Sequence, residues 1–246
     1  RRLRAYRAAL ARYARGLLRV DAVGYSSHGG WDRRLLDDLG VPGSYLPNAV
    51  AALEPVPGLR RELGVPSSTP VILHVANIWP EKNHLGFLEE LRGAPGDWRV
   101  VSIGGPSDVY PELAKQVADA ASRDPRVRLL GPRTREQVAG AMSEADVLVL
   151  PSTAEATPLV LLEAMSHGLP WIASDTCGSA ADLAGGEIVS QGGFAAALEV
   201  LCSDADRRAA LGREGRAAYR AEYSWERVAP RYLAALDGLA GARAAA

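Results

Sequence analysis

From residue 70 to about residue 190 the chain alternates short apolar runs with helical segments. The runs lie near 71–76, 98–103, 126–130, 146–150, 170–174 and 186–189 and are rich in Val, Ile and Leu. They are of strand length, and strands that alternate with helices argue for a parallel sheet covered on both faces. The fold class expected is therefore α/β, a Rossmann-like parallel sheet with helices on both faces. In open sheets of this kind ligands bind beyond the carboxyl ends of the strands. The loops at those ends carry Asn77 to Lys82, Gly104-Gly105, Pro132-Arg133, Glu155 to Thr157, and Asp175 to Gly178.

The most informative loop follows residues 147–150. Pro151 and Ser152 end the run, Thr157-Pro158 reads as the cap and first-turn proline of a helix reaching about His167, and Gly168 and Pro170 stop it. With Thr157 as cap, the amides of Leu159 and Val160 have no intrahelical partners and form a site for phosphate. Glu155 lies just before this turn, and Glu163 shares the helical face of Leu159. The spacing of the two glutamates proves nothing, because it recurs at Glu54/Glu62, Glu81/Glu89, Glu136/Glu144 and Glu214/Glu222. What singles out Glu155 and Glu163 is the loop that carries one and the helix, opened by that loop, that carries the other.

Other loops on the same edge supply a flexible ammonium, Lys82, and at Gly104-Gly105 a turn that permits close backbone approach. Together with the helix start these suit a diphosphate, and Glu163 can accept two hydrogen bonds from a ribose diol. No GxGxxG follows a strand and no GxxxxGK[ST] exists, which removes support from dinucleotide and P-loop readings. Trp79, Trp171 and Trp225 read as packing residues.

A net charge of -1 gives no field that would draw the chain to nucleic acid. Cys177 and Cys202 lack metal spacing and His28, His74, His84 and His167 are scattered, so no metal site and no disulfide framework is expected. No apolar run approaches the roughly 20 residues of a spanning helix, and a cytoplasmic location is expected. In the first nineteen residues Leu3, Tyr6, Leu10, Tyr13 and Leu17 recur at helical spacing among arginines. This is a basic amphipathic helix, suited either to an anionic membrane surface or to packing on further protein.

Several segments resemble one family in order along the chain. Glu155-x7-Glu163, with Ala164 to Pro170 and Ile172 to Asp175, resembles the signature of the retaining family 4 glycosyltransferases, which have the GT-B fold. Tyr45 to Val50 resembles the family's interdomain "IPNGV", with Ala49 in place of glycine, and Leu73 to Lys82 its "VGRL…EKG" segment. Val101 to Pro106 resembles its "IGxGP" turn, and Arg207 to Glu226 its terminal "LR…GR…F-S-W-E" helices.

The resemblance implies metal-independent transfer of a sugar, with retention of configuration, from a nucleotide-diphosphate sugar to an acceptor it does not identify. No cofactor is implied beyond that donor. Residues 1–50 would end an N-terminal acceptor domain, 51–222 would form the donor domain, and 223–246 would cross back; alone, such a chain would be inactive. Lys82 would neutralise the diphosphate, Glu155 would contact donor-sugar hydroxyls, Glu163 would hold the ribose, and Arg133 would border the base. Asn77, Gly105, Thr157, Pro158, Leu159 and Val160 complete the implied donor site. Two departures stand out: Ala76-Asn77 replaces the family's Gly-Arg, and Ala156-Thr157-Pro158 replaces its Gly-Phe-Gly. They imply either a donor held differently, with Asn77 donating and another arginine reaching in, or a site of weakened chemistry; the first is favoured. The alternative readings are a non-catalytic nucleotide-sugar-binding domain and, less favoured, an epimerase of the same fold.

Overall fold

Six apolar runs become six parallel strands, in a computed structural model that describes residue 16, residues 23–28 and residues 30–244. They are β3 (Val71–Val75), β4 (Arg99–Ile103), β5 (Val127–Gly131), β6 (Val147–Leu150), β7 (Trp171–Ser174) and β8 (Gly186–Val189). Each lies within about a residue of its expected bounds. The sheet order is β5-β4-β3-β6-β7-β8 with every neighbouring pair parallel. The chain builds outward from β3 to β5, returns, and builds outward again from β6, so the order reverses between β3 and β6. A crevice opens at such a reversal, where the helices after the two strands leave on opposite faces.

Alternate strand residues fill two cores. Leu73, Val101, Leu148 and Leu150 pack with Met142, Leu161, Leu162 and Met165 on one face. Ile72, Val100, Val147, Val149 and Ile172 pack with Phe87, Leu91, Phe194 and Leu198 on the other. Strands buried on both faces read as continuous apolar runs, the reason these were visible in the sequence.

Before the sheet lie β1 (Gly24–Tyr25), α1 (Trp31–Leu39) and β2 (Ser44–Tyr45), with β1 and β2 paired in parallel, then the short α2 (Leu59–Leu63). The connecting helices are α3 (His84–Glu90), α4 (Pro111–Ser122), α5 (Arg135–Glu144), α6 (Leu159–His167) and α7 (Phe194–Ser203). The tail comprises α8 (Ala205–Ala218), a π turn at Tyr219–Tyr223 and α9 (Trp225–Ala244). It turns back onto the segment before residue 51: Tyr219 Oη donates to Val50 O at 2.8 Å, Ser224 bridges Val50, and Tyr232 Oη donates to Leu46 O at 3.3 Å.

Of the tryptophans read as packing residues, Trp171 is buried and Trp79, 38% exposed, packs edge-on against Tyr110, whereas Trp225 is 52% exposed. The basic helix expected over residues 1–19, and its membrane contact, lie outside the described residues except at Gly16. No helix among the described residues is long and apolar enough to cross a membrane.

Candidate functional site

Lys82 and Glu155 meet at the reversal point. Lys82 closes a 3-10 turn, Pro80–Lys82, in the loop after β3, and Asn83 follows in a left-handed conformation (φ 53°) that swings the chain into α3. Asn is among the few residues that adopt this readily. Its side-chain amide donates to Pro151 O and Gln191 Oε1, while Thr153 N donates to Glu81 O at 2.8 Å. The loops after β3 and β6 are thereby tied together. Lys82 Nζ lies 2.5 Å from Glu155 Oε1, which also accepts from Ser152 Oγ at 2.8 Å. Glu155 is further fixed by a backbone bridge to Cys177. Two ammonium protons and Glu155 Oε2 remain without hydrogen-bond partners among the described residues, available to something placed between them.

The helix start differs from expectation. Thr157 does not cap α6 and Pro158 is not in its first turn: Pro158 is itself the extended residue at the cap position, with no side-chain cap, and the helix begins at Leu159. The Thr157 hydroxyl lies instead 3.0 Å from Ser26 Oγ. The consequence for an anion is unchanged. Leu161 N bonds back to Pro158 O at 3.1 Å, leaving the amides of Leu159 and Val160 with no partner among the described residues.

The glycine turn also differs. Gly104, at φ 152°, faces its own chain: an added Cβ would sit 2.0 Å from Ala76 O, so glycine is required by the backbone of the neighbouring loop rather than by a ligand. Gly105 is the open position, with only Asn77 Oδ1 near, at 3.9 Å. Asn77 Oδ1 accepts the Gly105 amide at 3.0 Å, which leaves the Asn77 amide group as its donor.

Glu163 and Arg133 line one cavity of about 160 Å³ with Ala51, Leu53, Val75, Arg135, Met142 and His167. Burial pushes the half-buried Glu163 carboxyl above its ordinary range, opposed by Arg135 and His167. Arg133 also pairs with Glu62. Sequence reasoning missed Arg135 and His167. His167 sits four residues after Glu163 on the same helix, a signal that was readable; Arg135 follows Arg133 into α5, and nothing local marks it. A larger cavity of about 720 Å³ runs between α3 and α4, lined by Leu85, Leu88, Glu89, Gln116 and Arg123, and contains none of the loop residues above.

Among the described residues no group of three His, Cys, Asp or Glu could hold a metal ion. Both cysteines are free, and burial pushes the thiols up, to about 12 for Cys177 and about 11 for Cys202.

Residues 69–204, spanning the whole six-stranded sheet and this edge, match the family described as "Glycosyl transferases group 1". The chain belongs to this family. Among curated group 1 relatives, a D-inositol 3-phosphate glycosyltransferase of Corynebacterium kroppenstedtii is 33% identical over 68% of this chain and 40% of its own length. One from Nocardia farcinica is 32% identical over 75% of this chain and 45% of its own. The chain thus spans less than half the length of these relatives. The fold is shared with sucrose-phosphate synthase from Thermosynechococcus elongatus (TM-score 0.82, 23% identity, 95% of this chain and 62% of that one). It is shared also with Anabaena Alr3699/HepE, solved with UDP-glucose (TM-score 0.77, 19% identity, 89% and 64%). These likenesses establish a GT-B, Rossmann-like architecture.

Proposed function

We propose that this chain is the donor-binding part of a retaining, metal-independent glycosyltransferase that takes a nucleotide-diphosphate sugar. The observation that carries the reading is the Lys82–Glu155 contact at the β3/β6 reversal, flanked by the free amides of α6 and the Glu163 cavity. The nucleoside lies in that cavity, its ribose diol on Glu163 and its base bordered by Arg133. Arg135 and His167 beside Glu163 hold its charge. The diphosphate spans the amides of Leu159 and Val160, Lys82, the Asn77 amide group and the open face of Gly105. Donor-sugar hydroxyls displace Lys82 from Glu155, leaving the ammonium to the phosphates and the carboxylate to the sugar. Thr157 and Pro158 shape the loop between them.

Transfer proceeds on one face: the anomeric C–O bond to the diphosphate breaks, the leaving phosphate oxygen takes the acceptor's proton, and the acceptor oxygen bonds to the anomeric carbon. The protein's contribution is to stabilise the charge gathering on the diphosphate, through Lys82 and the amide dipoles of α6. Asn77 in place of the family's arginine leaves Lys82 as the principal cation.

Calorimetric titration with UDP, GDP and ADP tests this. Saturable binding of one nucleotide, weakened at least tenfold by Glu163→Ala and by Lys82→Ala, is expected, since hydrogen bonds to charged groups are each worth roughly 1.5–3 kcal/mol. No binding of any of the three sinks the reading.

A further inference from the structure

Helix α6 begins with no side-chain cap although a threonine stands two residues before it. Threonine caps stabilise helix starts, so a threonine withheld from that role is engaged elsewhere. Thr157 Oγ1 is 3.0 Å from Ser26 Oγ, in the segment between β1 and α1. Asp32 Oδ2, in the first turn of α1, accepts the Ser26 amide at 2.7 Å and the Ser26 hydroxyl at 2.9 Å. A carboxylate only accepts, and a serine hydroxyl has one proton to give. Ser26 therefore donates to Asp32 and accepts from Thr157, so the relay runs Thr157 to Ser26 to Asp32 in one direction.

The other anchors of this loop come from its own sheet edge: Ser152 on the Glu155 carboxylate, Cys177 on the Glu155 backbone, and Ser179 Oγ on Ala156 O at 2.8 Å. The Ser26 anchor alone among these reaches in from a segment 131 residues away. A second tie, Ser27 Oγ to Asp182 Oδ2 at 2.6 Å, pins the same segment to the 3-10 turn Gly178–Asp182 that carries Ser179.

We infer that Ser26 and Asp32 are positioning residues for the donor sugar: by holding Thr157 they fix the loop that presents Glu155, and they couple the β1–α1 segment to recognition of the sugar rather than of the nucleotide. The inference rests on the donor-site reading above. It explains why the sequence breaks a local capping rule here, since rules of this kind are broken where a side chain is needed for something else.

The test uses the whole chain with two probes, UDP and UDP-glucose, in calorimetric titrations, and hydrogen exchange without ligand. Ser26→Ala should weaken UDP-glucose about tenfold, the scale of one hydrogen bond lost from a positioned loop, while UDP affinity stays within about twofold. Thr157→Val should weaken UDP-glucose similarly, the double variant should be no worse than either single one, and Ser26→Thr should restore binding. Equal losses for both probes, or no loss for either, overturn the coupling. Without ligand, Ser26→Ala should speed amide exchange over residues 153–157 and leave Val147–Leu150 and the first turn of α6 unchanged. Unchanged exchange over 153–157 overturns the relay even if no nucleotide binds, an outcome that would count separately against the donor site.

Discussion

Lys82 Nζ and Glu155 Oε1 stand 2.5 Å apart although 73 residues separate them, each delivered by the loop after one of the two strands between which the sheet order reverses. In this arrangement the carboxylate competes with a diphosphate for the ammonium. Glu155→Gln should therefore tighten UDP binding by about twofold to fivefold, the range of a partly exposed ion pair, while abolishing sugar transfer in the complete enzyme. Calorimetry and a transfer assay check the two halves; weaker UDP binding in this variant would mean that Glu155 assists rather than competes.

Lys82→Ala should act in the opposite sense on the nucleotide. With asparagine at position 77 where the family has arginine, Lys82 is proposed to carry most of the neutralising charge, and loss of turnover by about 10² to 10³ is expected in the complete enzyme, as for loss of a group that stabilises transition-state charge. Wild-type kcat in this variant would remove Lys82 from the chemistry.

Glu163 gives a pH dependence. Burial raises its carboxyl, and a ribose diol donates to the ionised form, so nucleotide affinity should fall as pH is lowered toward the raised value. Stability moves the other way: the folded chain holds this proton where the unfolded chain has lost it, so the contribution is full below the ordinary carboxylate range and lost as pH rises through the folded value. Glu163→Gln should flatten both profiles. Nucleotide titrations and denaturant midpoints from pH 4.5 to 7.5 would show it, and a wild-type affinity independent of pH would refute the assignment.

His74 and His84 have ring centroids 4.4 Å apart, and among the described residues the buried His74 Nε2 has no hydrogen-bond partner. Burial lowers His84 from 6.5 to about 4, opposed by the Ala76 backbone, and lowers His74 well below 6.5 with His84 beside it, Lys82 adding to both. Unfolding below pH 6.5 lets each take up a proton, so their contribution is full above that pH and lost as pH falls toward 4. For His84 alone the loss amounts to about 3 kcal/mol. Urea denaturation at pH 7, 5.5 and 4.5 should reveal this loss, and His84→Leu should make the slope shallower; an unchanged slope would mean that the imidazoles are solvated.

The adjacent glycines should separate stability from binding. Gly104→Ala forces a Cβ against Ala76 O at φ 152° and should cost about 2–4 kcal/mol. Gly105→Ala meets open space and should leave the melting temperature unchanged while weakening UDP. Thermal melts and titrations of both variants decide this; equal destabilisation would mean that Gly105 is structural too.

The sheet was legible in the sequence because strands buried on both faces are continuous apolar runs, and Leu59–Leu63 and the end of α6 at Gly168 were marked by local turn chemistry. The helix start at residue 157 misled for the same local reason. Thr-Pro is a capping pattern, but Ser26 competes for the hydroxyl, and nothing near Thr157 in the chain announces Ser26. Gly104-Gly105 looked like one feature and is two, because Ala76 approaches only the first. Apolar periodicity and turn residues thus determined the layers, the strands and the edge on which the loops gather, since those depend on neighbours a few residues away. Only the tertiary structure decided that Lys82 would spend its charge on Glu155, that Arg135 would join Glu163 in one cavity, and that Thr157 would bind Ser26. Each is a contact between groups that sequence spacing cannot bring together, made where the sheet reverses and where the first segment folds back upon it.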